Sequence, residues 1–141
     1  MSIHIASATI TSTAPASAFF DRWADMETWP EWNTDTEWVR LDGPFAQGAT
    51  GTLKPQGGPK VRFVVDELTE DRFLDVSRLL GARLSFDHRV TRLEDGTRVE
   101  VTVSLDGPLA RVWNMILGKD LAASLQPDLD RLDAAASATA A

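Results

Sequence analysis

A run of six strand-like segments constrains the fold of this chain more than any other feature. The segments are Thr36–Leu41, Ala49–Lys54, Val61–Leu68, Phe73–Leu80, Arg83–Leu93 and Thr97–Leu105. Short turns containing glycine, proline or acidic residues separate most of them. Strands joined by such short turns pair with their neighbours in sequence, so the pattern predicts an antiparallel meander.

One further strand and two helical segments flank the meander. Ile3–Thr11 alternates as a strand does, and a short amphipathic helix follows Pro15 and ends before Trp29. A long helix over Leu109–Leu132 carries apolar residues every three or four positions, and the low-complexity tail after it is expected to fray from Ala134 onwards. With no repeat or linker, residues 1–141 are predicted to form one α+β domain in which the long helix covers a curved sheet.

The last hairpin gives the clearest register. If Asp95 and Gly96 form its two-residue turn, His88 lies opposite Val103. One face of this hairpin is then apolar except for His88, and the other face is polar and suited to water. The apolar set consists of Leu84, Phe86, His88, Val90, Val99, Val101, Val103 and Leu105.

The hairpin before it has no glycine in its turn. A turn centred on Glu70 and Asp71 pairs Phe63 with Arg78. This register places Arg78 among the apolar residues of the inner face, together with Val61, Phe63, Val65, Leu74, Val76 and Leu80.

Charge and composition exclude several kinds of partner and chemistry. The formal net charge of -7 argues against nucleic acid and against an anionic membrane surface, both of which attract clustered Lys and Arg. The absence of cysteine excludes disulfides, a thiolate nucleophile and Cys-ligated zinc, and a reducing cytoplasm is the simplest location. The two histidines lie in no metal-binding motif, no segment is apolar enough to span a membrane, and no secretion signal is recognisable. We therefore expect no metal and no cofactor.

Four segments carry a family resemblance: WADMETWPEWN, LDGPFAQGATGTLKPQGGPK, LSFDHRV and LDGPLARVW. Together with the order of elements, they make the chain resemble the bacterial polyketide cyclase/dehydrase-like branch of the START and birch-pollen-allergen superfamily. The resemblance covers nearly the whole chain. It implies a helix-grip fold, in which a curved antiparallel sheet wraps a long C-terminal helix and encloses an apolar cavity for lipids, polyketides or similar molecules. The family has no universal catalytic motif to carry over, and the absence of tyrosine excludes any mechanism that needs a tyrosyl hydroxyl.

This cavity and the strand registers together predict a set of ligand-binding residues. The apolar wall is expected to consist of Phe63, Phe86, Val101, Val103, Trp113 and Leu117. His88 and Arg78 would supply orienting polar contacts, and Trp32 would lie at the entrance. Two alternatives stay open for His88, and two for the tryptophan pair. His88 either binds a ligand carbonyl or transfers a proton, or is only hydrogen-bonded to the backbone; Trp29 and Trp32 either cap the cavity or simply pack.

Three functions are compatible with the sequence. The first is reversible binding of a small hydrophobic molecule in the interior. The second is a cyclase, dehydratase or isomerase in which His88 acts as acid or base on a ligand held by Arg78. The third is a protein-interaction module with a collapsed cavity.

Overall fold

In the computed structural model, which describes residues 2–140, seven strands and three helical segments follow one another along the chain. The strands are β1 (Ser2–Ser12), β2 (Thr36–Leu41), β3 (Thr50–Pro55), β4 (Val61–Leu68), β5 (Arg72–Leu79), β6 (Ala82–Leu93) and β7 (Gly96–Asp106). The helices are α1 (Ala16–Ala24), a short 3₁₀ helix (Met26–Glu31) and α2 (Ala110–Ala140). Each predicted strand is present, with ends within one residue of the prediction.

All seven strands form one antiparallel curved sheet in the order β1-β7-β6-β5-β4-β3-β2. The predicted meander from β2 to β7 is confirmed, and β1 joins its far edge by pairing with β7. Helix α2 lies on the inner, concave face, where it packs chiefly against β1 and α1. This arrangement confirms the predicted α+β layering of a long helix on a curved sheet.

A bulge in β1 brings its small side chains to the inner face. The register with β7 skips Ile5, so that Ile3 and Ala6 both lie on the side that faces α2. Beyond the bulge, Ala8 is buried on the same face. Because alanine side chains are short, the helix can approach β1 closely, which explains why β1 is its main partner in the sheet.

The β6–β7 hairpin turns one residue earlier than predicted. Residues 94–95 form the turn, and His88 lies opposite Val101 rather than Val103. The pairing therefore differs by two positions, which leaves every side chain on its predicted face. Gly96 follows the turn, and a Cβ there would collide with the carbonyl oxygen of Ser12. Glycine is thus required for the close approach of the end of β1.

The predicted turn between β4 and β5, centred on Glu70 and Asp71, is confirmed by the pairing of Leu68 with Phe73, but the predicted register beyond Asp66 is wrong. Phe63 pairs with Ser77, not with Arg78, because Asp66 forms a bulge that inserts an extra residue into β4. A one-residue change inverts the faces of β5. Arg78 accordingly lies exposed on the outer face, so its predicted position among the interior residues is wrong. The inner face of β5 is formed by Phe73, Asp75, Ser77 and Leu79.

The C-terminal half of α2 closes the core at the end of the sheet where α1 lies. Leu129, Leu132 and Ala136 are buried there, and the guanidinium of Arg22 donates a hydrogen bond to the carbonyl oxygen of Ala135 at 3.2 Å. The helix continues to Ala140, and the predicted fraying from Ala134 stays a prediction. Alanine is the best helix former, and burial of Ala136 adds packing.

Candidate ligand site on the concave face

Four residues of the predicted apolar wall share the concave face. Phe63 on β4 and Val101 and Val103 on β7 are buried, whereas Phe86 on β6 is only half-buried. Phe86 lies directly opposite Val103 across the β6–β7 ladder. The fold therefore brings these side chains onto one surface, and their contact with a ligand stays a prediction.

His88 lies on the same face, enclosed by aromatic rings. Its Nδ1 is 2.8 Å from the carbonyl oxygen of Phe73, which can only accept a hydrogen bond. Nδ1 therefore carries the proton, and Nε2 is the acceptor of a neutral ring. The ring of Phe73 stacks on the imidazole at 4.8 Å between centroids, and the ring of Trp23 lies at 5.0 Å. Burial lowers the pKa of His88 to about 4, although its backbone hydrogen bond acts in the opposite direction.

Asp75 is a second titratable group on the concave face, and sequence analysis missed it. Its side chain is buried between Val65 on β4 and Phe86 on β6, its cross-strand partners. Oδ1 is buried without a hydrogen-bond partner among the described residues. Burial raises the pKa of Asp75 to about 7, with a hydrogen bond to its own backbone opposing the shift. The carboxyl group is therefore partly protonated near neutral pH.

Asp75 and His88 occupy diagonal positions on neighbouring strands, because Asp75 pairs with Phe86. Diagonal neighbours on one face of a sheet are about 7–8 Å apart, too far for a direct hydrogen bond between most side chains. A bound molecule with two polar groups could span that distance. The interior thus offers one neutral imidazole and one easily protonated carboxyl group on an apolar surface.

Hydrophobic alternation pointed to the wrong face of β5, which is why Asp75 and Ser77 were missed. The outer set, Leu74, Val76, Arg78 and Leu80, has three apolar members, whereas the true inner set has two. Only the bulge in β4 reverses this preference. No feature of the sequence marks that bulge.

Trp113 and Leu117 lie on the side of α2 that faces the sheet, and both are half-buried. The indole Nε1 of Trp113 donates a hydrogen bond to the carbonyl oxygen of Leu80, at 2.8 Å, in the β5–β6 turn. Trp113 therefore lies at the end of the sheet formed by that turn. Leu121 and Leu125 continue the partly buried apolar row along the helix.

Trp32 is a core residue, with 6% of its surface exposed. Its ring is 5.6 Å from that of Trp29, and Trp29 donates a hydrogen bond from Nε1 to the carbonyl oxygen of Trp23 at 3.2 Å. Of the two interpretations of this tryptophan pair, packing agrees with the geometry. The predicted position of Trp32 at an open entrance does not.

A separate surface hollow of about 260 Å³ lies at the edge of the sheet, lined by Glu27, Trp38, Val39 and Arg40. It contains none of the predicted site residues. Within residues 2–140, no three potential metal ligands cluster, and no helix combines the length and apolar character needed to cross a bilayer.

Comparisons with known proteins support the fold and identify the family. The family model described as "Polyketide cyclase / dehydrase and lipid transport" matches residues 4–137. A comparison with curated proteins gives no significant match.

Several solved structures share the fold at low sequence identity. The two-domain aromatase/cyclase StfQ of the steffimycin biosynthetic pathway is 12% identical, with a TM-score of 0.77 over 99% of this chain, which spans about half (52%) of that protein. Ara h 8.0201 is 14% identical, with a TM-score of 0.70 and 98% of each chain covered. The ZhuI aromatase/cyclase from Streptomyces sp. R1128 is 16% identical, with a TM-score of 0.69, and the match covers 97% of this chain and 94% of that one. The protein adopts a helix-grip fold and belongs to the polyketide cyclase/dehydrase and lipid transport family.

Proposed function

We propose that the protein binds a small hydrophobic molecule between the concave face of the sheet and the N-terminal half of α2. The observation that carries this proposal is a band of apolar side chains that faces this space and stays only partly buried. It consists of Leu79, Phe86, Leu117, Leu121 and Leu125. Apolar surface of this kind gains free energy when a ligand removes it from water.

The two ends of the concave face differ in how closely they are packed, and this difference supports the same region as the ligand site. Near α1, the inner residues Phe73, Val65 and Val99 are fully buried, and the aromatic cluster around Trp23 fills the interior. Because packing there is close, little apolar surface remains that a ligand could remove from water. The predicted ligand residues Phe86 and Leu117 would accordingly act on the side away from α1, with Asp75 as a polar contact. His88 and its cross-strand partner Val101 lie in the row of Phe73, at the packed end.

Probe binding tests the proposal. Gently purified protein is analysed by native mass spectrometry and solvent extraction, and the stripped protein is titrated with anilinonaphthalene sulfonate. Leu117→Trp, which adds bulk on the inner side of α2, should weaken probe binding several-fold. Ala123→Trp adds the same side chain on the exposed side of α2 and is the matched control.

The result that would refute interior binding is equal affinity of the two variants, or no bound molecule and no probe binding at all. The latter outcome would favour the third candidate, a protein-interaction module with a collapsed interior.

An enzymatic role is a second candidate, favoured by Asp75 rather than by His88. General acid–base catalysis is most efficient when the pKa lies near the working pH. The pKa of Asp75, about 7, meets this condition, whereas that of His88, about 4, does not. Arg78 lies on the outer face, so it does not support the ligand-holding role expected from the sequence.

Polyketide-type substrates are the class to assay, in view of the family and its aromatase/cyclase neighbours. Asp75→Asn should abolish turnover of an aromatic polyketide mimic while leaving its affinity within a few-fold. His88→Gln should retain turnover. Loss of turnover in His88→Gln alone would assign the acid–base role to the histidine and contradict the argument from pKa.

A further inference from the structure

An exposed apolar patch lies at the end of the molecule far from α1. It consists of Leu80, Leu109, Val112, Met115 and Ile116, with Leu80 80% and Met115 86% exposed. We call it the tip patch. These are the large hydrophobic residues most exposed among the described part of the chain, and they come from only two segments, the β5–β6 turn and the start of α2. Clustered exposure of this kind marks an interaction surface rather than random surface composition.

The tip patch is built into the fold. The backbone N–H of Leu109 donates to the carbonyl oxygen of Gly81 at 2.9 Å, and the indole of Trp113 donates to the carbonyl oxygen of Leu80. Gly81 has a φ of +69°, and a Cβ there would be 2.6 Å from the side chain of Leu109. The turn is therefore fixed against α2, and it presents Leu80 outward on a rigid support.

The helical part of the patch points away from the sheet. Ala110, Trp113 and Leu117 lie on the inner side of α2, so Val112 and Met115 lie on the opposite side at 100° per residue. The first turns of α2 are thus apolar on both sides. A surface helix normally carries polar residues where it meets water. The outer side of α2 is apolar instead, which indicates that an apolar partner contacts this side of the helix.

Basic residues flank the tip patch. Arg78 and Arg83 are direct cross-strand partners on the outer face of the β5–β6 hairpin, both exposed, and like charges in this position repel each other. Arg111 and Lys119 are exposed on α2. None of these four cations forms an ion pair with a described residue.

Two carboxylates lie near these cations: Asp106 at the end of β7, opposite Arg83 across the β6–β7 ladder, and Asp120 on α2. This end is therefore net basic within a chain of net charge -7. The net charge of the whole chain argued against an anionic membrane. Because the charged residues are unevenly distributed, this end can be basic although the chain as a whole is acidic.

We propose that the tip patch docks the protein onto an anionic phospholipid bilayer. Leu80 and Met115 enter the interfacial layer, while Arg78 and Arg83 bind lipid phosphates. Exposed apolar side chains next to basic residues match a surface that is apolar within and negatively charged at its boundary. A second copy of the chain fits less well, because a twofold interface on this patch would bring two net basic ends together.

This inference does not depend on interior ligand binding. Co-sedimentation is measured with vesicles of phosphatidylcholine alone and of phosphatidylcholine with phosphatidylglycerol. The wild type should bind only the anionic vesicles, and less at high salt. Leu80→Gln combined with Met115→Gln should lower the partition coefficient about tenfold, and Arg78→Gln combined with Arg83→Gln by a similar factor. The control is Arg98→Gln, an exposed arginine at the other end of β7, which should bind as the wild type does.

Site-specific labelling locates the contact. The chain has no cysteine, so Met115→Cys and Glu94→Cys each give one reactive site, at the patch and in the opposite β6–β7 turn. An environment-sensitive fluorophore should shift to the blue on anionic vesicles at Met115→Cys only, and brominated lipid should quench it. Absence of vesicle binding, equal shifts at both sites, or a stable dimer that protects Met115→Cys would each overturn the proposal. Circular dichroism of all variants confirms that they are folded.

Discussion

Replacing Asp75 by asparagine tests whether burial keeps a proton on this side chain. The pKa of Asp75 is raised from 3.8 to about 7 because the charged form is desolvated. Between these two values the folded protein holds a proton that the unfolded chain releases, so the free energy of unfolding falls as pH rises. The difference in pKa corresponds to about 4 kcal/mol across this window, taking 1.36 kcal/mol per unit. Asparagine does not titrate and removes this dependence.

Urea unfolding of both proteins between pH 4 and pH 8 measures the effect directly. The free energy of unfolding of Asp75→Asn, relative to the wild type, should increase with pH and level off above pH 7. The amide of asparagine has its own unmet hydrogen bonds, which shift the whole curve but not its slope. Titration of His88 is common to both proteins and cancels in the difference.

Asp66→Asn is the matched control, because Asp66 is exposed on the adjacent strand β4. The reasoning is refuted if the curve of Asp75→Asn runs parallel to that of the wild type, or if carbon-13 NMR of the Asp75 carboxyl group gives a midpoint near 4.

Three further predictions concern stability. The free energy of unfolding of His88→Gln, relative to the wild type, should rise by about 3 kcal/mol as pH drops from 6.5 to 4, because only the wild type must protonate a buried imidazole; a difference that does not change with pH would contradict the neutral, buried ring. Gly96→Ala should destabilise the protein by at least about 2 kcal/mol in urea unfolding, because its Cβ meets the carbonyl oxygen of Ser12; an unchanged midpoint would rule out that close approach. Arg72→Gln should cost about 1–2 kcal/mol in low salt and less in 1 M salt, since Arg72 donates two hydrogen bonds to Asp87 in a partly buried ion pair; equal losses in both salts would argue for packing instead.

The sequence predicted the elements of this fold more accurately than their registers. Strand limits came from turns and alternation, which are local features, and these limits agree within one residue. Register depends on single inserted residues such as Ile5 and Asp66, whose bulges appear only when two strands are paired. On β6 and β7 the register differed from the prediction by two positions, so each side chain still lies on its predicted face. On β5 it differed by one position, so the inner and outer faces were exchanged.

The predicted facing of the site residues holds on β6 and β7 and fails on β5, and their contact with a ligand stays a prediction. His88, Phe86 and Val101 lie on the concave face, but Arg78 lies on the outside and Asp75 takes an inner position. Apolar alternation could not have corrected this, because the outer side of β5 is the more apolar one. Burying a carboxyl group costs free energy, so a pattern that assumes apolar interiors excludes a residue such as Asp75.

The two halves of helix α2 have different surroundings. The C-terminal half is packed into the core, whereas the N-terminal half leaves apolar side chains open to binding partners. Its C-terminal half is fixed by Leu129 and Leu132 against the core beneath α1, a region whose rings and aliphatic groups are closely packed. Its N-terminal half leaves Leu117 half-buried on the inner side and Met115 exposed on the outer side. A ligand on the inner side and a bilayer on the outer side would both stabilise the same few turns, and both would remove apolar surface from water. Because both partners would stabilise the same turns, loading of the interior and attachment to the membrane are expected to be thermodynamically coupled.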